Sequence, residues 1–246
     1  MGKRCDGAPG IAMLATAETL AGIKLFERLS LEERNDVAAR CRFHRFVKGE
    51  DIVRELDSSR DVYFLVSGQV RASILSRSGK EVSFRDIIAG EVFGDLAAID
   101  GMPRSSNVIA LEDSAVLSLS DGAFWDMLQS YPSVSSGTLI GLTNLVRRLS
   151  ERIFEFSTLG VRNRIHAELL RLALNYLDDD GERATITQPP RHLELAARIS
   201  TNREAVTREL NHLEAMGLIE RAGGTLCVCD VARLRQMVEE VKGAEM

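Results

Sequence analysis

The chain has 246 residues, enough for two modest domains that each bury a core of their own. Hydrophobic residues make up 45% of the chain and charged residues 27%, a balance that excludes wholesale disorder. The net charge of −5 excludes a protein that attracts nucleic acid through a general excess of basic residues, so any such binding must come from a local face. No apolar run approaches the roughly 20 residues that span a bilayer. We therefore expect a cytoplasmic protein with no membrane partner.

The start of the chain is predicted to hold an arm and then a helix. A basic start leads into an apolar run at 11–14 that is too short for a signal peptide, so we interpret residues 1–21 as a loose arm. Apolar residues recur at helical spacing from Leu20 to Ala39, and Ser30 is placed to cap a helix in this stretch.

Over residues 43–119 the hydrophobic pattern changes from helical spacing to short runs typical of β-strands. Val70, Ala72 and Ile74 alternate with polar residues, as in a half-buried strand, and a turn at 78–79 predicts a hairpin. Many short strands at regular spacing predict a compact roll, barrel or sandwich.

The longest helical pattern begins after Tyr131 and Pro132. Its apolar residues are spaced like the a and d positions of a heptad: Leu139, Leu142, Val146, Leu149, Ile153 and Phe156. This narrow seam favours a parallel two-stranded coiled coil, and hence a homodimer, over packing of the helix on its own domain. Gly160 follows and offers a hinge.

The last third of the chain predicts helices and a hairpin. The predicted segments are a helix at 161–177, an acidic turn at 178–181, two helices at 192–199 and 202–216, and a hairpin turn at 223–224. Helix, short turn, helix and β-wing is the order of a winged helix-turn-helix.

Four cysteines form neither a CxxC pair nor a Cys/His pattern with zinc-like spacing: Cys5, Cys41, Cys227 and Cys229. Cys227 and Cys229 would share one face of a strand. We interpret them as small residues of the hairpin, with a redox or metal site as the alternative.

A segment around Gly94 carries residue types suited to a phosphate. Gly94 allows close backbone approach, Arg104 offers a fork for bidentate contact, and Ser105 adds a hydroxyl donor. Asp95 is a short acceptor for a sugar hydroxyl. From spacing alone, ordinary turns with Arg104 paired to Asp95 or Asp100 explain the same residues better than a phosphate site does.

This segment, Phe93 to Ala97 followed by Pro103 to Ser106, resembles the phosphate-binding cassette of the cyclic-nucleotide-binding fold. The whole chain resembles the Crp/Fnr superfamily of bacterial transcription regulators. The resemblance implies an α+β fold with an N-terminal β-roll of the jelly-roll type, a long dimerisation helix and a C-terminal winged helix-turn-helix. The implied domains are an arm at 1–21, an effector domain at 22–131, the dimerisation helix at 132–159 and a DNA-binding domain at 160–246.

The resemblance also implies the roles of the cassette residues. Arg104 and Ser105 would meet the cyclic phosphate and Asp95 the ribose, while the backbone of Gly94 and Leu96 would line the anion site. The expected effector is a cyclic nucleotide, cAMP or cGMP, with no obligatory cofactor and no metal.

Several positions depart from the family pattern. Asp95 replaces a glutamate, Ser106 an alanine, and Leu56 a glycine of an earlier turn. The family's purine-reading threonine falls on Leu149, which cannot form a hydrogen bond with a base. Base recognition is therefore expected to pass to Ser150 or to neighbouring arginines.

The second helix of the motif opens with residues suited to reading bases. Arg203 and Arg208 suit guanine and Glu204 can accept from cytosine, although Thr201 and Glu204 also have the spacing of a capping box. The family's R-E-x-V-x-R signature is intact here, which favours base reading of a near-palindromic site with half-sites resembling TGTGA. We expect contributions from Asn202 and Thr207 as well, with Thr207 on the same exposed side as Arg203 and Glu204.

The favoured function is a homodimeric regulator whose DNA affinity depends on a ligand in the β-roll, with RNA polymerase as a further partner implied by the family. In this hypothesis the ligand biases the packing of the dimer helices and resets the DNA-binding domains across Gly160. The alternative is a regulator of the same family that senses redox state, a gas or no ligand. An enzyme is not expected, because no paired nucleophile and base is apparent.

Overall fold

The computed structural model describes residues 15–75 and 81–244, so the first part of the predicted arm and the turn at 78–79 lie outside it. The chain divides into an N-terminal unit, which holds residues up to Ile74 together with Ser83–Leu142, and a C-terminal unit, which holds Leu75–Val82 together with Thr143 onward. No described helix combines the length and the apolar character needed to cross a membrane.

The strands of the N-terminal unit follow the predicted β-rich region. They are β1 Arg42–Phe46, β2 Asp51–Val53, β3 Val62–Ser67, β4 Gln69–Leu75, β5 Glu81–Ile88, β6 Val92–Phe93, β7 Asn107–Ala110 and β8 Ser114–Leu119. They form two four-stranded sheets, with the strand orders β1-β8-β3-β6 and β2-β7-β4-β5. Leu65 and Val116 of the first sheet share one buried cluster with Val70 and Val108 of the second, so the sheets pack face to face.

Helices cover the outside of the first sheet. They are α1 Ala17–Ala21, α2 Leu31–Arg40, α3 Asp95–Asp100 and α4 Asp121–Ser130. The helical spacing from Leu20 to Ala39 is not one continuous helix, because α1 ends at Ala21, with Gly22 as its C-cap, and a 3-10 turn precedes α2. The predicted cap at Ser30 is confirmed. Glu33 N–H donates to Ser30 Oγ at 3.2 Å, and the Glu33 carboxylate accepts from Ser30 N–H at 2.7 Å.

The long helix α5 spans Pro132–Thr158, as predicted. Gly160 is the N-cap of α6, Val161–Ala173, which ends before the predicted Leu177 because Leu177 instead forms a β-bridge with Ala184.

The remaining elements form the predicted winged helix-turn-helix. They are β9 Ala184–Ile186, α7 His192–Arg198, α8 Arg203–Ala215, β10 Ile219–Ala222, β11 Thr225–Val228 and α9 Val231–Ala244. Strands β10 and β11 pair from Ile219–Val228 to Ala222–Thr225, around a two-residue turn in which Gly223 and Gly224 both have positive φ. Leu169, Val206, Leu213 and Leu218 are fully buried in the core of this unit.

Candidate functional site

The cassette turn is built around Gly94, which joins β6 to α3. Gly94 has φ +79°, and a Cβ at this position would lie 2.8 Å from Arg104 Nη1 and 3.0 Å from the Asp61 carbonyl oxygen. A side chain here would therefore meet both a strained backbone and a collision. The glycine is what allows Arg104 to lie against the backbone here, whereas the sequence analysis expected it to admit a phosphate.

Arg104 is buried and points into the protein. Its side chain donates from Nε to Ser59 Oγ at 3.1 Å, from Nη1 to the Gly94 carbonyl at 2.9 Å, and from Nη2 to the Asp61 carbonyl at 2.8 Å. The residue is only 2% exposed, and its guanidinium carbon lies 5.6 Å from the centre of the Tyr63 ring. Three of the five N–H donors of the guanidinium already have acceptors in the protein, so two remain, and bidentate contact of Arg104 with a phosphate stays a prediction.

The charge of Arg104 has no counterion among the described residues. All three acceptors are neutral oxygens, and no described carboxylate forms an ion pair with the guanidinium. Burial lowers the pKa of Arg104, while Tyr63 and the charges of Asp61 and Asp57 raise it. The alternative of an ion pair between Arg104 and Asp95 or Asp100 is thus wrong, and among the described residues no carboxylate contacts the buried guanidinium directly.

The other cassette residues surround this charge less closely. Burial raises the pKa of Asp95, against backbone hydrogen bonds and the charge of Arg85. Ser105 and Leu96 are exposed, and no hydrogen bond of the described residues joins Asp95 or Ser105 to Arg104. The structure therefore brings Gly94 and Arg104 together, while the phosphate and ribose roles of Ser105, Asp95 and the Leu96 backbone stay predictions.

A second turn holds the backbone of Arg104. Leu56 N–H donates to the Arg104 carbonyl and Arg104 N–H donates to the Asp57 carbonyl, both at 2.9 Å. Leu56 has φ +65° and is 79% exposed, so this chain keeps the left-handed conformation with a leucine where the family pattern has glycine. Ser59 and Asp61, which hold the guanidinium, were missed by the sequence analysis.

The predicted dimer seam lies on α5. Leu139, Val146 and Ile153 are 65%, 62% and 66% exposed in the single chain. Leu149 and Phe156 are also exposed, whereas Leu142 is half-buried. Large apolar side chains repeated at heptad spacing and left in water are typical of a surface that a second helix covers. The neighbouring Ile140, also exposed, was missed because it falls outside the a and d positions, and Ser150 is exposed on the same helix.

A buried ion-pair cluster joins the end of α5 to α6 and α7. The Glu168 carboxylate accepts from Arg152 Nη1 at 2.8 Å, from Arg198 Nη1 at 3.2 Å and from Arg171 Nη1. Arg171 Nη2 lies 2.9 Å from the carboxylate of Glu155, which is also buried. Burial would raise the pKa of Glu168, but the three arginines outweigh it and lower the pKa.

This cluster bears on the predicted hinge. Arg152 and Glu155 precede Gly160, whereas Glu168 and Arg198 follow it. Bending at Gly160 would pull charged groups out of a buried network, which is costly because each would lose its partner without regaining full hydration. We therefore interpret the end of α5 as held to α6 and α7 by this cluster.

The first turn of α8 starts one residue later than a Thr201 cap requires. Asn202 is the N-cap, and its Oδ1 accepts from Ala205 N–H at 2.8 Å. The preceding Ser200 has φ +51°, which turns the chain so that Asn202 and not Thr201 faces the free amides. The capping-box alternative for Glu204 is therefore wrong.

The predicted base readers are available on α8. Arg203, Glu204 and Arg208 are exposed, and their side chains make no hydrogen bond or ion pair within the described part of the chain. On the opposite side of the helix, Val206 and Leu210 are buried in the core. The helix is thus anchored on its apolar face, with its charged residues in solvent.

The sequence analysis placed Thr207 on the same exposed side of α8 as Arg203. In the structure, Thr207 is half-buried and faces α7 instead. Its hydroxyl donates to the Arg203 carbonyl at 3.0 Å, so the 2.8 Å contact with His192 Nδ1 requires the ring to donate. Burial lowers the pKa of His192, which is consistent with a neutral ring. Thr207 and His192 instead fix α8 against α7.

A second polar contact fixes α8 against α6. His166 is buried, and its Nε2 lies 2.7 Å from Glu209 Oε1 on α8. Arg162 Nε donates to the same oxygen at 3.1 Å. Burial lowers the pKa of His166 despite Glu209, which raises it.

Two family models match the chain: the cyclic nucleotide-binding domain over residues 43–131 and the Crp-like helix-turn-helix domain over residues 163–237. The cyclic AMP receptor protein of Thermus thermophilus is 30% identical over 221 residues, which cover 89% of this chain and 98% of that protein. The cAMP-activated global transcriptional regulator CRP of Escherichia coli is 26% identical over 192 residues, covering 76% of this chain and 90% of that protein. The solved structure of a CooA mutant from Carboxydothermus hydrogenoformans has the same fold, with a TM-score of 0.72 at 22% identity over 82% of this chain and 90% of that one.

Proposed function

The chain belongs to the Crp/Fnr family of DNA-binding transcription regulators with an effector-binding domain, and from this premise we propose that it is a homodimer whose DNA affinity is set by a cyclic nucleotide. The effector binds in the β-roll at the Arg104 cassette. The relatives described above as cAMP receptors support cAMP as the first nucleotide to test.

The observation that carries the proposal is the buried charge of Arg104, which forms no ion pair with a described carboxylate and has only neutral oxygens as direct acceptors. An ionised group taken out of water is expensive unless an opposite charge accompanies it. An anionic effector removes that cost. The three hydrogen bonds to Ser59 and to the Gly94 and Asp61 carbonyls pre-orient the guanidinium, which leaves two N–H groups for a phosphate.

The cassette residues can be assigned to the phosphate and the sugar of the effector more readily than to its base. Asp95 stands beside Gly94 and is our candidate for the ribose hydroxyl, with Ser105 and the Leu96 backbone as further donors. Leu149 has no polar atom to read a purine, so we assign base recognition to Ser150. The choice between cAMP and cGMP therefore has to be made by the calorimetric titration described below.

On the DNA side, we propose that Arg203, Glu204 and Arg208 read bases in the major groove of a near-palindromic site with TGTGA-like half-sites. Their exposure on an anchored helix supports this role. Each bidentate contact with a base contributes about 1–3 kcal/mol of discrimination. Asn202 keeps its amide nitrogen for a phosphate or base, because only its Oδ1 serves the cap.

Dimerisation through α5 brings two such helices to the two half-sites. We propose that effector binding biases the packing of the exposed seam, and that the Glu168 cluster transmits the change from α5 to α7 and α8 as the movement of one body. Gly160 then serves as the N-cap of α6 and not as the flexing point. RNA polymerase remains the further partner that we expect from the family.

A second candidate is a regulator of the same family that uses no cyclic nucleotide. The observation in its favour is that the three hydrogen bonds of Arg104 are already made inside the protein. In that case the guanidinium would be a structural tie between the turns at Ser59 and Gly94, and the DNA-reading helix would keep its role.

Isothermal titration of the purified protein with cAMP and with cGMP separates the two candidates. We expect saturable binding of one nucleotide per chain for the wild type and none for Arg104→Ala. The matched control is Arg54→Ala, which removes an exposed arginine paired only with Asp51 and should bind normally. Absence of heat with both nucleotides in a folded wild-type protein would favour the second candidate.

Fluorescence anisotropy with a TGTGA-type palindrome, at fixed salt, tests the DNA-binding part. Affinity should rise with the nucleotide and fall by about 1–3 kcal/mol in Arg203→Ala. Arg235→Ala, an exposed arginine of α9, is the control that should leave the affinity nearly unchanged. Equal affinity for the palindrome and for scrambled DNA would contradict base reading by α8.

A further inference from the structure

Two thiols meet at the wing, outside the cassette and the recognition helix. Cys227 lies in β11 between the buried residues Leu226 and Val228, so its side chain lies on the opposite, outer face of the wing sheet. Cys229 follows two residues later, where its N–H donates to the Leu218 carbonyl at 2.9 Å and continues the extended pairing. Both cysteines are free and half-buried.

One arginine draws the two sulfur atoms together. Arg183 Nη2 lies 3.7 Å from Cys227 Sγ and 3.8 Å from Cys229 Sγ, so a single nitrogen donates to both. Its side chain is 48% exposed, and Glu220, the cross-strand neighbour of Cys227, lies 4.0 Å from the same nitrogen. The two thiols, each partly exposed, thus share one cation whose hydrogen bonds favour the thiolate form.

The ligand set limits what this site can hold. Among the described residues, no group of three or more histidine, cysteine, aspartate or glutamate side chains is arranged to hold a metal ion. A site with two sulfur ligands suits a soft, thiophilic centre that needs only two protein ligands, and not zinc, which takes four or keeps three protein ligands.

A direct disulfide is poorly matched to this geometry. Cys229 lies in the bend just after β11. An extended backbone separates Cα atoms two residues apart by about 6.4–6.8 Å, at the upper end of the roughly 4.4–6.8 Å range that disulfides tolerate. When another atom bonds to both sulfurs, the two sulfurs can lie farther apart than in a disulfide. The backbone then does not have to bring them to disulfide-bond distance.

We propose that Cys227 and Cys229 form a dithiol site, with Arg183 as its hydrogen-bond donor, that captures a soft trivalent metalloid carrying one organic substituent. With an organoarsenic oxide, two As–S bonds form and the arsenic–oxygen double bond breaks. The oxygen leaves as water with the two thiol protons, and no electrons are transferred. Burial and the neighbouring Cys227 raise the pKa of Cys229, while the hydrogen bond from Arg183 lowers it.

The test uses phenylarsine oxide with the full-length protein and intact-protein mass spectrometry. In a large excess of a monothiol such as glutathione, which competes with single cysteines, we expect one adduct per wild-type chain that a dithiol competitor removes. Cys227→Ser and Cys229→Ser should each lose the adduct, because one thiol cannot chelate. Arg183→Ala should keep it but release it at a lower concentration of the dithiol competitor.

The controls use the other two cysteines. Cys41→Ser removes a thiol whose pKa burial raises to about 12, and Cys5→Ser removes one far away in the sequence; both variants should keep the adduct. Circular dichroism checks that each serine variant is folded. An adduct that survives in folded Cys227→Ser or Cys229→Ser, or a wild type that forms none, would overturn the proposal.

Discussion

The two units bury arginine in opposite ways. In the N-terminal unit, Arg104 donates only to neutral oxygens and forms no ion pair with a described carboxylate. In the C-terminal unit, Arg198 and its neighbours surround the carboxylates of Glu168 and Glu155. The residue type is the same, but Arg104 has no carboxylate in direct contact among the described residues, whereas the arginines of the cluster lie against theirs.

This difference separates a binding function from a structural one. A buried cation without a paired carboxylate is stabilised when an anion binds to it from solvent. The relief of its unfavourable burial therefore contributes to the affinity for that ligand. A buried cation with its counterions gains nothing from a ligand and instead resists movement, since parting the ions exposes each to an unfavourable environment. The cassette should therefore respond to anions, while the Glu168 cluster should respond to mutation alone.

The largest expected effect comes from breaking the closed cluster. Glu168→Gln leaves Arg152, Arg171 and Arg198 together without their central charge, and we expect the free energy of unfolding to fall by about 3–5 kcal/mol. Urea denaturation followed by circular dichroism measures this loss. Asp51→Asn, which removes the partner of Arg54 from an exposed pair, should change it by less than about 0.5 kcal/mol. Comparable losses in the two variants would contradict a stabilising role of the cluster.

At the Arg104 site, mutation should lower the free energy of unfolding by less than at the Glu168 cluster, and ligand binding should raise it. Arg104→Met leaves the Gly94 and Asp61 carbonyls without their donor but also removes an unpaired charge, so we expect a loss of about 1–3 kcal/mol. Cyclic AMP at 100 times its dissociation constant should stabilise the wild type by about 2.7 kcal/mol and leave the variant unchanged. Thermal unfolding with and without nucleotide measures both effects. Equal stabilisation of the two proteins would place the ligand elsewhere.

The comparison also shows what the sequence could predict. The long helix α5 and the order of the helix-turn-helix and wing were predictable, because they depend on local spacing and on glycines at fixed positions. The cassette was identified only through its resemblance to a family, and its binding roles stay predictions. The acceptors of Arg104 were not predictable. Two of them are backbone carbonyls, at Gly94 and Asp61, and carbonyl groups carry no signature in a sequence.

Small shifts in the backbone account for the other errors. The N-cap moved from Thr201 to Asn202 because Ser200 adopts φ +51°, a conformation that residue type alone does not announce for serine. The pairing of Glu168 with three arginines could not be seen either, because the partners come from three helices and the spacing of each helix only marks them as charged.

A pH titration extends the comparison to a buried group of the C-terminal unit without a permanent charge. Because burial lowers the pKa of His166, the unfolded chain binds a proton more readily than the folded one as the pH falls below about 6.5. Stability should therefore decrease from pH 7 toward pH 5, with a contribution from this group of at most about 1.4 kcal/mol per pH unit. Urea denaturation across this range should show a shallower slope for His166→Gln, which cannot titrate. An unchanged slope would exclude His166 as a source of the pH dependence.

The smallest expected effect concerns the turn that holds Arg104. Leu56 has φ +65° and an exposed side chain, so the leucine bears left-handed strain and buries little surface in return. Leu56→Gly should stabilise the protein by about 0.5–1 kcal/mol, since relief of the strain exceeds the added entropy of the unfolded chain. Leu56→Ala is the matched control, because alanine keeps the Cβ and with it the strain. Ser200→Gly makes the same test in the C-terminal unit, where φ is +51°. If alanine and glycine at position 56 had the same stability in urea, the leucine turn would carry no strain, and its departure from the family's glycine would have no energetic meaning.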